Sequence, residues 1–414
     1  MRDVKSNIVR CLITRVLAFL VVLLVGCLHP LKGWSQTGEM VVDALVKMGF
    51  ENVGYTDTEV ERVFVLQNEA YRLNGVGIAK AVDVIQQMGL PEGKPCRIVV
   101  LDNNVPQISL YYHPVKGDSI PKAERADWNV SYDLGDSWQE VRKVKRKNSS
   151  LFKVDILVYP QLYFKNVIVT QVYQACVELS PAVEISLWKG SKLTAQVIFP
   201  VYNDGYYHEM EKVRPGYLTL EQQVRLPYNI WLKGVVGVFD TRTYGGELSF
   251  FHPFKDERFS VEGKVGLVGI GYFDGLDSFV YNGQKRCYWS VGGNFYWPMF
   301  QTQFKVRAEQ YLQKEKGVRV EMIRHFKYCS IGFYAMKAQH AKSNGGFKIA
   351  VSLPPYKYKR RGYIPRVSTS PATGISYNAG NEAKYYKMPF VTADQTLVKE
   401  NRFNPYYIKS QILE

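Results

Sequence analysis

The sequence from about residue 152 to residue 353 alternates apolar and polar side chains, a period of two that β-strands produce and helices do not. In the segment 303–309, Phe304, Val306 and Ala308 fall on one face, while charged and amide side chains fill the other. Charges of both signs recur in this way along nearly every strand. The pattern is typical of a transmembrane β-barrel with a polar interior.

The alternating segments predict roughly ten to twelve antiparallel strands, each near the length that a tilted barrel strand needs. Their polar face supplies the candidate functional residues, which are charges predicted to point into the lumen. Mixed signs allow cross-strand ion pairs that hold a lumen together, and they also suit a path for a charged polymer. The predicted lumen-facing charges are Lys153, Asp155, Glu221, Arg225, Lys264, Lys305, Arg307, Glu309, Arg319 and Glu321.

Aromatic residues near the strand ends agree with a bilayer location. Tyr and Trp prefer the boundary between hydrocarbon and water, and Tyr228, Trp231 and Trp297 lie at such positions. A soluble β-sandwich is the alternative, since β-proteins in general are rich in Tyr. The N-terminus favours the membrane reading.

Residues 1–35 are predicted to be a signal peptide. A basic start, a short apolar run and the small residues Gly33 and Ser35 before Gln36 match an export signal. The segment Leu24–Cys27 also resembles a lipobox, so lipidation at Cys27 remains an alternative. Either reading takes the mature chain out of the cytoplasm.

The remaining chain divides into four predicted parts. Residues 36–113 form a small periplasmic α/β domain of order αββαββ, because two amphipathic helices alternate with pairs of short strands. Residues 114–151 are a polar linker, 152–354 the barrel and 355–414 a basic C-terminal tail. The predicted class is therefore mainly β, with a barrel behind a small α/β domain.

The formal net charge of +15 does not indicate nucleic-acid binding in an exported protein, because part of it lies in the signal segment and in the tail. An anionic glycan or lipid headgroup is the predicted partner, and a basic tail that only keeps the protein soluble is the alternative. The basic run 142–147 is a solvated loop or a contact with anionic headgroups.

The sequence contains no recognisable catalytic, cofactor or metal motif. The six histidines lack a matching nucleophile or ligand spacing, and the cysteines lack the spacing of a metal site. We therefore predict a protein that is not an enzyme and binds no cofactor or metal.

Several segments resemble the YjbH-like family of exopolysaccharide biosynthesis proteins, which are outer-membrane β-barrels. The similar stretches are 127–133, 154–161, 226–231, 237–245, 317–326 and 332–335. The resemblance covers most of the mature chain and carries no catalytic residue. It implies a role in making or exporting an extracellular polysaccharide, beside outer-membrane lipids and periplasmic lipoprotein partners.

The sequence thus predicts an outer-membrane barrel that serves exopolysaccharide biosynthesis or export as a conduit or scaffold. Two alternatives stay open: a barrel enzyme acting on lipid or glycan, and a surface glycan-binding lipoprotein.

Overall fold

The computed structural model describes residues 38–114, 123–166, 173–239, 242–378 and 402–414. The predicted signal peptide, with Ser35 and Cys27, lies outside the described residues. No helix in the described ranges is long and apolar enough to cross a membrane.

The N-terminal part is an α/β domain, called the cap below. Its sheet has the order β1-β2-β3-β4-β5, in which only β2 and β3 run parallel. The elements are α1 (Gly38–Met48), β1 (Glu51–Asp57), β2 (Arg62–Gln67), α2 (Asn74–Met88), β3 (Cys96–Asp102), β4 (Val105–Tyr112), β5 (Asn129–Ser131) and α3 (Ser137–Val141).

Apolar side chains at helical spacing form the core of the cap. Helix α1 buries Val41 and Leu45, and α2 buries Ile78, Val82 and Ile85, all against the sheet. The αββαββ order agrees with the sequence prediction. The predicted linker 114–151 is different: where it is described, it supplies β5 and α3 to the cap, because β5 pairs with β4 and Val141 is buried in a second apolar cluster.

The barrel wall follows as a series of strands, the first twelve of which pair antiparallel in chain order. The strands are β6 (Val154–Asn166), β7 (Tyr173–Ile185), β8 (Ser191–Asn203), β9 (Arg214–Leu226), β10 (Ile230–Phe239), β11 (Thr243–Pro253), β12 (Phe259–Phe273), β13 (Phe279–Trp297), β14 (Thr302–Gln310), β15 (Lys316–His325), β16 (Cys329–Ala338), β17 (Asn344–Ser352), β18 (Arg366–Thr369) and β19 (Ala372–Asn378); the last element is helix α4 (Pro405–Leu413).

The wall has an apolar outside and a polar inside. On β14, Val306 is 53% exposed on the outer face, while its neighbour Lys305 is only 2% exposed on the inner face. The same alternation places Val318 and Val320 outside and Glu321 inside on β15. Paired strands satisfy most backbone groups within this nearly closed wall, and its apolar exterior is suited to lipid. The predicted fold class, a transmembrane β-barrel behind a small α/β domain, is confirmed.

The barrel closes through residues beyond the predicted boundary at 354. Strand β18 pairs in parallel with β6, and β19, only two residues later, pairs antiparallel with β17. The predicted basic tail 355–414 therefore contains the closing strands, and the predicted barrel end was too early. The sheet has 14 strands, more than the predicted ten to twelve. Short strands with little alternation explain both errors.

A pair of glycines sits at the far end of the β10–β11 hairpin. Gly237 and Gly245 face one another in register with φ of +146° and +147°. A Cβ on Gly237 would lie 2.0 Å from the Leu218 carbonyl oxygen, so a larger residue does not fit without a shift of the backbone.

Candidate functional site

The candidate site is a cavity of about 720 Å³ between the cap and the interior of the barrel. The cap contributes Glu51, Gln67 and Glu69, and the barrel contributes charged side chains from the inner face of most of its strands. The site therefore exists only because the two parts of the chain are docked together.

The barrel side of the cavity carries a charge belt, in which acidic and basic side chains follow one another around the wall. Lys192 lies 3.8 Å from Glu184, Lys233 lies 3.9 Å from Glu221, and Lys264 lies 3.5 Å from Glu247. In register, Lys192 of β8 faces Glu221 of β9 directly. Such cross-strand pairs stabilise adjacent strands.

The belt is densest around Arg307. Its Nε donates to Glu262 at 2.8 Å, and its Nη2 lies 3.3 Å from Glu321. Arg319 stands directly opposite Arg307 in register, and its Nε also donates to Glu321, at 2.7 Å. Glu321 thus bridges two like charges that would otherwise repel. Lys348 lies 3.7 Å from Glu321, which makes that buried carboxylate the centre of a three-cation group.

The structure brings most of the predicted lumen charges into this one cavity. Arg225 is the exception among the ten, because it leaves the lumen and binds the cap. The predicted charges that line the cavity are Lys153, Asp155, Glu221, Lys264, Lys305, Arg307, Glu309, Arg319 and Glu321.

Tyrosine hydroxyls bind two of the buried acids of the belt. Tyr311 donates to Glu309 at 2.8 Å, and Tyr288 donates to Glu247 at 2.5 Å. Tyr288 also belongs to a buried apolar cluster inside the wall, beyond the belt as seen from the cap. That lumen cluster consists of Tyr217, Val235, Phe239, Val268, Tyr288 and Leu312.

The cap docks on the barrel rim through an aromatic cluster. Tyr132 of the cap packs against Trp231 and Phe251 of the barrel, with ring centroids 5.5 and 5.8 Å apart. Trp231 is 6% exposed and shares the apolar core of the cap. The Arg225 guanidinium lies 4.3 Å from the Trp231 ring and donates to the carbonyl oxygens of Pro106 and Gln107.

Turns all around this rim contact the cap or helix α4. Asn103 of the cap binds the β7–β8 turn, and Glu257 of the β11–β12 turn accepts from Ser131 at 2.6 Å and from the Tyr132 N–H at 2.7 Å. Burial raises the pKa of Glu257. On the other side, Tyr407 of α4 donates to the Phe326 carbonyl oxygen at 3.0 Å. The cap therefore covers this mouth of the barrel.

An ion-pair network, called the latch below, joins the cap to the closing segment and to β6. Glu51 of the cap accepts from Lys153 at 3.0 Å and from Arg360 at 3.1 Å. Arg360 also binds Asp155 of β6. Arg366 of β18 donates to Asp155 at 2.6 Å and lies 3.3 Å from Glu69 of the cap.

The pKa values of the two cap carboxylates in the latch are shifted in opposite directions. Burial, with the nearby Glu69 charge, raises the pKa of Glu51 to about 6 despite its two cationic partners. Burial acts in the same direction on Glu69, but Arg366 and a hydrogen bond from Gln67 outweigh it and lower the pKa of Glu69. Arg360 and Arg366 were not among the sequence candidates. Their only sequence signal was membership of a basic tail.

Within the described residues, no group of His, Cys, Asp and Glu side chains could hold a metal ion. The four cysteines of that part, including the buried Cys96 and Cys176, form no disulfide with one another.

The fold and the site define a class of protein, a capped β-barrel of the outer-membrane type with a charged interior. Solved structures with some likeness include OmpT, an outer membrane protein of Vibrio cholerae, with 9% identity and a TM-score of 0.27 over 49% of this chain and 82% of that one. A Rhodopseudomonas blastica porin triple mutant has 6% identity and a TM-score of 0.26 over 49% and 90% of the two chains. These likenesses are slight, and the class follows from the wall itself.

No family model matches the chain. No curated protein matches it either.

Proposed function

We propose that this protein resides in the cell outer membrane and takes part in exopolysaccharide biosynthesis or export, as a conduit or scaffold. The cap would lie in the periplasm, near lipoproteins of an export system. The observation that carries the proposal is the charge-lined cavity between the cap and the lumen. That the cargo is a polysaccharide is inferred from the resemblance of the strand and turn motifs to the YjbH-like family.

The chemistry of the cavity supports an anionic, hydroxyl-rich polymer. Cations such as Arg307 and Lys348 can bind carboxylate groups of acidic sugars. The partly exposed Gln223 amide of β9, which also lines the cavity, can exchange hydrogen bonds with sugar hydroxyls.

The genetic test compares polysaccharide in two compartments. We expect deletion of the gene to reduce secreted polysaccharide and to increase the periplasmic pool, and the wild-type gene to restore both. An unchanged glycan profile in the deletion strain would contradict the proposed function.

A matched pair of variants separates a conduit from a scaffold. Arg307→Met removes the cation that joins Glu262 and Glu321, whereas Val306→Leu changes a lipid-facing neighbour on the same strand. We expect both variants to insert, as shown by heat-modifiable migration on gels. If the lumen is a conduit, Arg307→Met restores secretion poorly and Val306→Leu restores it fully. Equal restoration assigns a scaffold role.

A further inference from the structure

Strand β6 is bonded unequally on its two edges. Towards β7, the register runs along the whole strand, from Val154 paired with Ile185 to Asn166 paired with Tyr173. Towards β18, the ladder has four register pairs and ends at Val158 paired with Thr369. Farther from the cap, two single hydrogen bonds continue this contact. The Ser370 N–H donates to the Val158 carbonyl oxygen at 2.9 Å, and the Thr373 hydroxyl donates to the Pro160 carbonyl oxygen at 3.0 Å.

The remainder of the closing strand is bonded to the other neighbour. Strand β19 pairs with β17 from Ala372 to Asn378. Residues 161–164 of β6 and 374–377 of β19 therefore form a seam whose described backbone bonding is weaker than that of the β6–β7 ladder. The two inward positions on β19, Gly374 and Ser376, are exposed to solvent.

The number of strands around the wall makes this junction parallel. Strands β18 and β19 follow one another along a single line, so β6 to β17 and this shared line make thirteen positions. An odd number of positions forces one neighbouring pair to run parallel, and parallel pairing is slightly less stable than antiparallel pairing. Pro160 also brings a residue without an N–H donor to the start of the seam.

The seam borders the lumen on one side and the lipid-facing surface on the other. Gln161 and Tyr163 of β6 point inwards, and the Tyr163 hydroxyl donates to Gln161 at 2.6 Å. Phe164 of β6 and Ile375 of β19 point outwards and are 50% and 41% exposed. The cap covers one mouth of the barrel, and the lumen cluster lies on the far side of the charge belt. The seam is the weakly bonded part of the wall between them.

The latch connects the seam to the cap. Arg366 begins β18 and holds both Asp155 of β6 and Glu69 of the cap. Arg72 of the cap donates to the Thr369 carbonyl oxygen at 3.0 Å, at the last register pair of the parallel ladder. Displacement of the cap would therefore remove bonds that keep the closing strand beside β6.

We propose that the outer half of the seam between β6 and β19 is a lateral portal between the lumen and the bilayer, controlled by the cap through the latch. Its ligand class is an amphiphile, with a polar part that enters the charged lumen and a hydrocarbon part that stays among the lipids. The portal does not depend on a polysaccharide as cargo, so it can fail while the proposed function stands, and the reverse.

The first test measures the width of the seam in the full-length protein in phospholipid vesicles. Spin labels are attached at Leu162→Cys and Ile375→Cys after Cys96, Cys176, Cys287 and Cys329 have been replaced by serine. Pulsed electron resonance gives the distance distribution between the labels. We expect Arg366→Gln to shift this distribution to longer distances, because it removes the side chain shared by cap and seam.

Two controls make this result specific. Labels at Leu162→Cys and Val177→Cys span the fully paired β6–β7 ladder, and their distance should not change. Arg258→Gln breaks an exposed ion pair with Asp256 at the rim and should leave the seam unchanged. If Arg366→Gln does not fold, Glu69→Gln removes the cap side of the same contact. An unchanged seam distance in the folded latch variant would overturn the proposal.

The second test asks whether an amphiphile reaches the lumen through the seam. A maleimide carrying a long acyl chain is dissolved in the vesicle bilayer, and its reaction with a single cysteine is followed by mass. We expect several-fold faster modification of Gln161→Cys in the latch variant than in the wild-type background, and no such increase for Ser249→Cys, a cavity position on β11. Equal rates for Gln161→Cys in both backgrounds would exclude the portal.

Discussion

At the scale of single residues, buried carboxylates are compensated by cations more fully in the lumen than in the cap. Glu321 and Glu262 in the lumen each serve more than one cation, so their burial is compensated within the belt. Glu51 lies at 1% exposure between the cap and the barrel, and its two cationic contacts do not fully offset the loss of water. A buried carboxylate in that position should make docking of the cap depend on pH.

We expect Glu51 to contribute stability at low pH that is lost as the pH rises. Its pKa is raised from 4.5 to about 6 in the folded protein. The contribution is therefore fully present below pH 4.5 and lost by about pH 6, and it is worth on the order of 2 kcal/mol. The difference in unfolding temperature of the cap between wild type and Glu51→Gln should thus change between pH 4.5 and pH 6. A constant difference across that window would contradict the assignment.

Trp231 should be the main apolar anchor of the cap on the rim. Trp231→Ala removes an indole that is 6% exposed and contacts Tyr132 and Phe251, and such truncations cost about 3–5 kcal/mol. We expect the cap to become sensitive to protease while the barrel keeps its heat-modifiable migration. Trp297→Ala is the control, because Trp297 is 43% exposed at the same rim. Equal resistance of the cap in both variants would show that Arg225 and the latch suffice.

At the scale of elements, two segments of the C-terminal region have different structural roles. The segment 366–378 closes the wall, whereas helix α4 packs against the cap and the rim. Arg125 of the cap donates to the Ile412 carbonyl oxygen at 3.1 Å, and Lys327 of the rim lies 2.7 Å from Glu414. Truncations at different points should therefore have different effects.

We expect deletion of residues 402–414 to leave an inserted barrel with a loosened cap. Deletion of residues 366–414 removes β18 and β19 as well, which leaves the edges of β6 and β17 unpaired within the membrane. Unpaired backbone groups in lipid cost several kcal/mol each, so this shorter chain should not insert. Heat-modifiable migration of both chains in outer-membrane fractions is the measurement. Insertion of the shorter chain would mean that β6 and β17 can close the wall alone.

Strict alternation is what made the wall predictable from the sequence. On β14, every second residue from Gln303 to Glu309 is polar, so the lumen-facing charges could be named from the period alone. The closing strands gave no such signal, since β18 is four residues long and β19 contains Gly374. Arg225 shares the polar face of β9 with Glu221, but it lies at the rim, and only tertiary contacts direct it to the cap.

At the scale of the whole molecule, the barrel is a chamber with three boundaries. The cap covers one mouth, the lumen cluster around Phe239 and Tyr288 lies beyond the belt, and the seam forms one side. A barrel with an open, water-filled lumen would need neither the cap nor the cluster. The arrangement instead fits a lumen whose access is controlled by docking of the cap.

Electrical conductance should report this control directly. We expect the wild-type protein to conduct little in planar bilayers, because the cap contacts turns around the rim. Trp231→Ala should raise the fraction of time spent in a conducting state by at least about tenfold, since only about 1.4 kcal/mol is needed for that factor. Trp297→Ala should conduct like the wild type. If Trp231→Ala makes the cap sensitive to protease but conducts no more than the wild type, the barrier to ion flow is the lumen cluster. Phe239→Ala should then raise the conductance in its place.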